Sequence, residues 1–184
     1  MLRKLFTALT LMAAAYALWP AWNALELKRA IRNGDLATVA ERVEWPALRA
    51  SLRTAFADQA PEEARRRFGR VPVLGRLVEK AALRFGPKVA DTMVDNFATP
   101  AGFIQLDAYK RERQASLGVA SSRALSGIAV ELYERIKRVS FISLTRIEIE
   151  VADRLEPAKR VLGAMELRDG GWKLTELRFF RAVD

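Results

Sequence analysis

The 21 residues from Leu5 to Leu25 carry no charge, and they follow directly on Arg3 and Lys4. Such a run has to be covered by lipid or by protein. A bilayer-crossing helix needs about 20 predominantly apolar residues, whereas the apolar part of a signal peptide needs only about 7–15. Both fates fit. Ala13-Ala14-Ala15 and Ala15-Tyr16-Ala17 have the small residues that signal peptidase reads, which would release a soluble periplasmic domain. Tyr16, Trp19 and Trp22 instead suit an uncleaved anchor, as an aromatic belt at its far interface. With Arg3 and Lys4 retained on the cytoplasmic side, the rest of the chain is expected on the periplasmic side of a bacterial inner membrane. Residues 1–25 are therefore expected to be a membrane anchor or signal segment, and residues 26–184 a single α+β domain.

The charge pattern supports a basic front half. Residues 28–88 hold 14 basic and 7 acidic side chains, while residues 139–184 hold 8 of each. Histidine and cysteine are both absent. This excludes a thiolate nucleophile, an imidazole base, a disulfide and a Cys/His zinc site.

Beyond the uncharged run, Ala24, Leu27, Ala30 and Ile31 share one helical face, and Asn33-Gly34 ends that helix. Asp35 starts the next, with Leu36, Val39, Ala40 and Val43 as its buried stripe. Pro46 opens a third, whose stripe is Leu48, Leu52 and Phe56. Trp45, Arg49 and Arg53 are left over as candidate ligand contacts, because a pair of arginines four apart beside an aromatic ring can clamp an acidic group. Pro61-Glu62-Glu63 reads as the first turn of a further helix, and Arg65, Arg66, Arg67 and Arg70 form the densest basic cluster, a candidate contact for an anionic membrane surface. Leu74, Leu77, Val78 and Phe85 form an apolar stripe, and Val89, Met93 and Phe97 a second. Asp91 and Asp95 stand one helical turn apart.

The stretches ALELKRAIRNGDLATVAERVEWPALRASLR, MVDNFATPAGFIQL and ELRDGGWKLTELRF resemble the uncharacterised bacterial family catalogued as domain of unknown function 2939. The resemblance picks out Trp19-Pro20, Gly34-Asp35, Trp45-Pro46, Arg49 and Thr99-Pro100. It implies an envelope protein with no assigned activity, and no catalytic residue.

Residues 115–127 are small and polar and read as a loop, with Ala129, Leu132, Tyr133 and Ile136 on a last helix. The period then changes to two. Thr145, Ile147, Ile149 and Val151 alternate with Arg146, Glu148 and Glu150, the pattern of a strand with one wet face. KRVLGAMEL and WKLTELRFF follow, joined by a tight turn at Arg168-Asp169-Gly170-Gly171, with a bulge expected near Thr175-Glu176. Glu148 and Glu150 are expected to pair with cross-strand Lys or Arg. The order predicts an α+β fold, helices first and then an antiparallel sheet of at least three strands. It also resembles the NTF2-like or cystatin-like cone folds, which can cup an apolar ligand between helices and sheet.

Glycine-rich nucleotide loops and serine-lysine signatures are missing. The expected function is a non-enzymatic envelope domain that binds a small apolar or lipid-like ligand or a partner protein. No catalytic residue, cofactor or metal is assigned. Two alternatives stay open: an electrostatic module on anionic headgroups, and a carboxylate-based enzyme. Nucleic acid is not expected, because few aromatics interleave with the arginines.

Overall fold

The computed structural model describes residues 2–68, 88, 91–118 and 125–182, the side chains of residues 2, 5, 57–68 and 125 excepted. Helices α1 (Leu2–Asn33), α2 (Leu36–Glu41), α3 (Trp45–Phe68), α4 (Pro100–Ser116) and α5 (Leu125–Arg135) precede strands β1 (Ile136–Ser143), β2 (Arg146–Ala152), β3 (Lys159–Arg168) and β4 (Gly171–Arg181). The strands form one antiparallel sheet in the order β1-β2-β3-β4. The chain is thus α+β, with a helical front half and a four-stranded sheet at its end.

Local chemistry sets the helix ends. At the end of α1, Gly34 takes φ +76°, its amide donates to the Ile31 carbonyl at 3.4 Å, and the Asp35 amide donates to Ala30 at 2.9 Å. That paired closure needs a residue free to adopt the left-handed conformation. Asp35 then caps α2 by accepting from the Thr38 amide at 3.1 Å. Thr99 does the same for α4, accepting from Gly102 at 3.0 Å, with Pro100 behind it. A Cβ on Gly102 would lie 2.4 Å from the Phe97 carbonyl oxygen, so only glycine allows that approach.

One face of the sheet is the core face. Ile147, Met165 and Leu174 align across β2, β3 and β4, as do Val151, Val161 and Phe179. Leu48 and Leu52 of α3, Leu27 and Ala30 of α1, and Val39 and Val43 around α2 close over it, with Trp172 fully buried among them. Phe56 stacks on Phe179 with ring centroids 5.9 Å apart. The Asp169-Gly170 turn has φ of 51° and 77°, both positive as a two-residue hairpin demands. The bulge is at Thr175: Ala164 pairs with Glu176 and Met165 with Leu174, leaving Thr175 as the extra residue, its hydroxyl donating to the Ala164 carbonyl at 3.3 Å.

Several expectations need correction. No helix among the described residues is long and apolar enough to cross a membrane. The uncharged run is diluted by alanine, threonine, Pro20 and Asn23, and from Tyr16 onward one side of α1 packs on the protein. The Tyr16 hydroxyl donates to the Leu144 carbonyl, its ring meets Trp172 edge-on at 6.3 Å, and Asn23 is buried against Arg42. The free part, residues 2–15, is about 21 Å of helix, short of the roughly 30 Å hydrocarbon layer. In α2, Leu36 is 53 % exposed and Ala40 is also exposed, because a six-residue helix inserts only Val39 before Val43 reaches β4. In the helical segment 91–97, Met93 and Phe97 face outward and Val94 is buried, one position out of phase with the expected stripe. Helix α3 runs through Pro61 without restarting. The last helix stops at Arg135, and Ile136 already belongs to β1. Arg70, Leu74, Leu77, Val78, Phe85 and Val89 lie outside the described residues.

Candidate functional site

The core face leaves no cup between helices and sheet among the described residues, since Trp172, Leu48 and their neighbours fill that space. The open site is on the other face. Many outward positions of β2, β3 and β4 are charged, with Leu162, Ala164 and Phe180 between them, and the charged ones form a lattice centred on Arg146. Its guanidinium donates to Glu166 at 2.7 Å, Glu176 at 2.7 Å and Glu148 at 3.1 Å. Arg178 joins Glu176 at 2.6 Å and Glu148 at 3.3 Å, Arg168 joins Glu166 at 2.7 Å, and Arg160 joins Glu150 at 2.7 Å. Glu148 and Glu150 are therefore partners of arginine, as their spacing implied.

Helix α3 supplies the facing wall. It lies along β4, and together with the link before it closes part of that strand's outer edge. The Leu174 amide donates to the Arg42 carbonyl and the Glu44 amide to the Leu174 carbonyl, both at 2.9 Å, and Ser51 closes the next exposed position at Leu177. Leu48 and Leu52 turn inward. The opposite flank of the helix, Ala47, Ala50, Ser51, Thr54 and Ala55, is made of small residues and stands back from the charged face. The gap between them is a groove of about 390 Å³, lined also by Arg146, Glu166, Arg168, Thr175, Glu176 and Arg178. Its two walls differ: one is methyl-rich, the other a field of alternating charge.

The electrostatics fix what these groups do. The hydrogen bond from Arg168, and next that from Arg146, holds the Glu166 carboxyl below the usual carboxylate range. The bond to Glu176 leads in raising the Arg146 guanidinium above its already high value. The acid is thus ionised near neutral pH and occupied by arginine, which suits charge recognition rather than proton transfer. Among the described residues, no group of three or more His, Cys, Asp or Glu is placed to hold a metal ion.

The residues singled out from sequence lie elsewhere. Trp45 packs edge-on to Phe103 at 5.5 Å, and its indole donates to the Ala40 carbonyl at 3.1 Å. The Nε of Arg49 donates to the Ala98 carbonyl at 3.1 Å, a cation at the end of the helical turns 91–97. Arg53 bridges Asp91 at 3.0 Å and Asp95 at 2.9 Å, so that carboxylate pair holds a guanidinium. Arg49 and Arg53 therefore tie α3 to the segment before α4, Trp45 packs on α4 itself, and none of the three lines the groove. Arg65, Arg66 and Arg67 occupy the last turns of α3, with their side chains outside the description. Tyr16 is half-buried, while Trp19 and Trp22 are exposed on α1. Reading from sequence missed the groove. Its signal was the run of small residues at 47, 50, 51, 54 and 55, which marks one flank of a helix as able to stand close to something else.

No curated protein and no solved structure matches the chain. A family model described as "Protein of unknown function (DUF2939)" matches residues 9–106, from α1 into α4, and stops short of the sheet and its closing ELRDGGWKLTELRF. That match takes in more than half of the 184 residues, including the α3 wall of the groove and every helix end described above up to Thr99-Pro100, and on it the chain belongs to the DUF2939 family.

Proposed function

We propose that this protein is a non-enzymatic binding domain of the bacterial envelope, attached to the membrane by α1 and taking an amphipathic, lipid-like ligand into the groove between α3 and the charged face of the sheet. The observation that carries the attachment is the exposure of Phe6, Leu9, Leu11 and Met12, each more than 60 % open to solvent on a stretch without charge. Apolar side chains at such density are covered by lipid or by protein. Arg3 and Lys4 at the tip support a periplasmic placement of the domain at the inner membrane, their long side chains reaching toward the cytoplasmic headgroups from a helix shorter than the layer, which thins around it. The methyl-rich wall at Ala47, Ala50 and Ala55 suits acyl chain, and Arg168 and Arg178 suit an anionic headgroup. Helices gathered on one face of a bulged antiparallel sheet also support a cone-type, NTF2-like or cystatin-like arrangement.

Native mass spectrometry of the detergent-purified full chain, with lipid extraction, tests the binding role. The wild type is expected to carry a bound amphiphile that Ala50→Trp, which fills the groove, loses without a change in folding. A chain that carries nothing, or a variant that retains the ligand, sinks the groove as the binding site. Carbonate washing of membranes tests the attachment: the chain is expected to stay in the pellet.

A further inference from the structure

We propose that the tip of the β1–β2 hairpin, Phe141, Ile142 and Leu144, is a second membrane contact that enters the bilayer surface beside α1; this rests on the attachment proposed above. Leu144 is 79 % exposed, Ile142 57 % and Phe141 48 %. These are large apolar side chains at a sheet corner, where polar turn residues are the rule. A register shift between Phe141 and Ser143 makes Ile142 an extra residue that re-aims the strand end. The tip is also held in place. The Tyr16 hydroxyl donates to the Leu144 carbonyl, so the hairpin is fixed at the level where α1 leaves the domain.

The geometry distinguishes a bilayer from a partner's groove. At about 100° per residue, Phe6, Leu9 and Met12 lie within about 120° of one another and Leu11 about 100° beyond Met12, so the exposed apolar side chains span about 220° of the circumference of α1. A groove covers one stripe of a helix, whereas lipid covers all sides. Tyr16, Trp19 and Trp22 lie within about 9 Å along the axis, close to the depth of one interfacial layer, where aromatic residues collect. Leu144 shares the depth of Tyr16, the outermost of the three. It therefore meets the boundary between headgroups and acyl chains. The opposite end of the sheet offers a control: Leu155, in the connection from β2 to β3, is 39 % exposed, with the length of β2, roughly 20 Å, between it and the tip.

The chain has no cysteine, so single-cysteine variants of the full-length protein can be labelled without background. Leu144→Cys, Leu11→Cys and Leu155→Cys, each carrying an environment-sensitive fluorophore, are reconstituted into vesicles of phosphatidylethanolamine and phosphatidylglycerol. Emission at positions 11 and 144 is expected to shift to the blue and to be quenched by nitroxide-bearing lipid, and emission at 155 to do neither. Quenching at 11 with none at 144 overturns the hairpin contact and leaves the attachment by α1 standing. No quenching at 11 overturns the attachment, and the hairpin contact with it. Leu144→Ser labelled at Ile142→Cys is the second measurement, expected to weaken quenching at 142 while thermal unfolding stays unchanged.

Discussion

The hydroxyl of Ser51 accepts from the Leu177 amide at 2.9 Å and donates to the Leu177 carbonyl at 3.0 Å. A single side chain of α3 thus takes the place that a neighbouring strand would have held. Ser51→Ala leaves both backbone groups of a half-buried strand position without that partner, at a cost of about 1–3 kcal/mol. The thermal midpoint is expected to fall by several degrees. Differential scanning calorimetry checks this, and an unchanged midpoint would mean that water replaces the hydroxyl at no cost.

Asp107 is buried, 2.5 Å from the Lys28 ammonium and 2.9 Å from Arg111. Burial pushes its carboxyl up, but the charge and hydrogen bond of Lys28, with Arg111 and Arg32 nearby, outweigh this and hold it below the usual carboxylate range. A carboxyl depressed in the folded state adds stability above its unfolded value of about 3.9, and that stability disappears as pH falls through the folded value. Unfolding curves recorded from pH 5 downward should therefore steepen below about pH 4. Asp107→Asn should flatten that portion, and at neutral pH should cost roughly 3 kcal/mol by stranding the cations around it.

Arg146→Met has a pH signature of the same sign, from the other face of the sheet. Without the central guanidinium, Glu148, Glu166 and Glu176 face one another with only Arg168 and Arg178 as partners. Glu166 then keeps only the Arg168 bond of the two that hold its carboxyl low, so the penalty is present at neutral pH and shrinks as pH falls below its unfolded value of about 4.3. A loss of about 1–2 kcal/mol at pH 7 is expected, between the values for exposed and buried pairs. Urea titrations at pH 7 and about pH 3.5 check it, and equal losses at both would remove the carboxylate explanation.

Arg49→Lys should shift the melting temperature and leave ligand content per folded molecule unchanged. Lysine lacks the Nε that reaches the Ala98 carbonyl, and the site is not part of the groove. A loss of about 1 kcal/mol is expected for one charge-assisted bond. A drop in bound amphiphile at constant stability would instead make Arg49 a ligand contact.

Where local chemistry decides, the fold was legible in the residues. Gly34 and Asp35, Thr99-Pro100, the Asp169-Gly170 turn and the bulge at Thr175 each follow from a conformational demand that few residue types meet. Strand β1 was not legible. Its burial alternates poorly because it is an edge strand with most side chains exposed, so Ile136 looked like the end of a helix. The phase of the segment 91–97 failed for a related reason: with Val94 and Ala98 buried and Met93 and Phe97 exposed, the larger side chains were the misleading ones. The groove depends on a long-range fact, that α3 runs beside β4, which no local pattern carries. Trp45, Arg49 and Arg53 stood out because they were not needed for the apolar stripe, and their partners, Phe103, Ala98 and the Asp91/Asp95 pair, lie some forty or more residues on.

The two margins of the sheet are unlike. On β4, Arg42, Glu44 and Ser51 occupy the outward backbone groups of Leu174 and Leu177, while β1 pairs only with β2 among the described residues. Among the described residues, backbone positions open to an added strand therefore lie along β1 rather than at Leu174 and Leu177, where a side chain and a chain link guard the sheet against unplanned pairing.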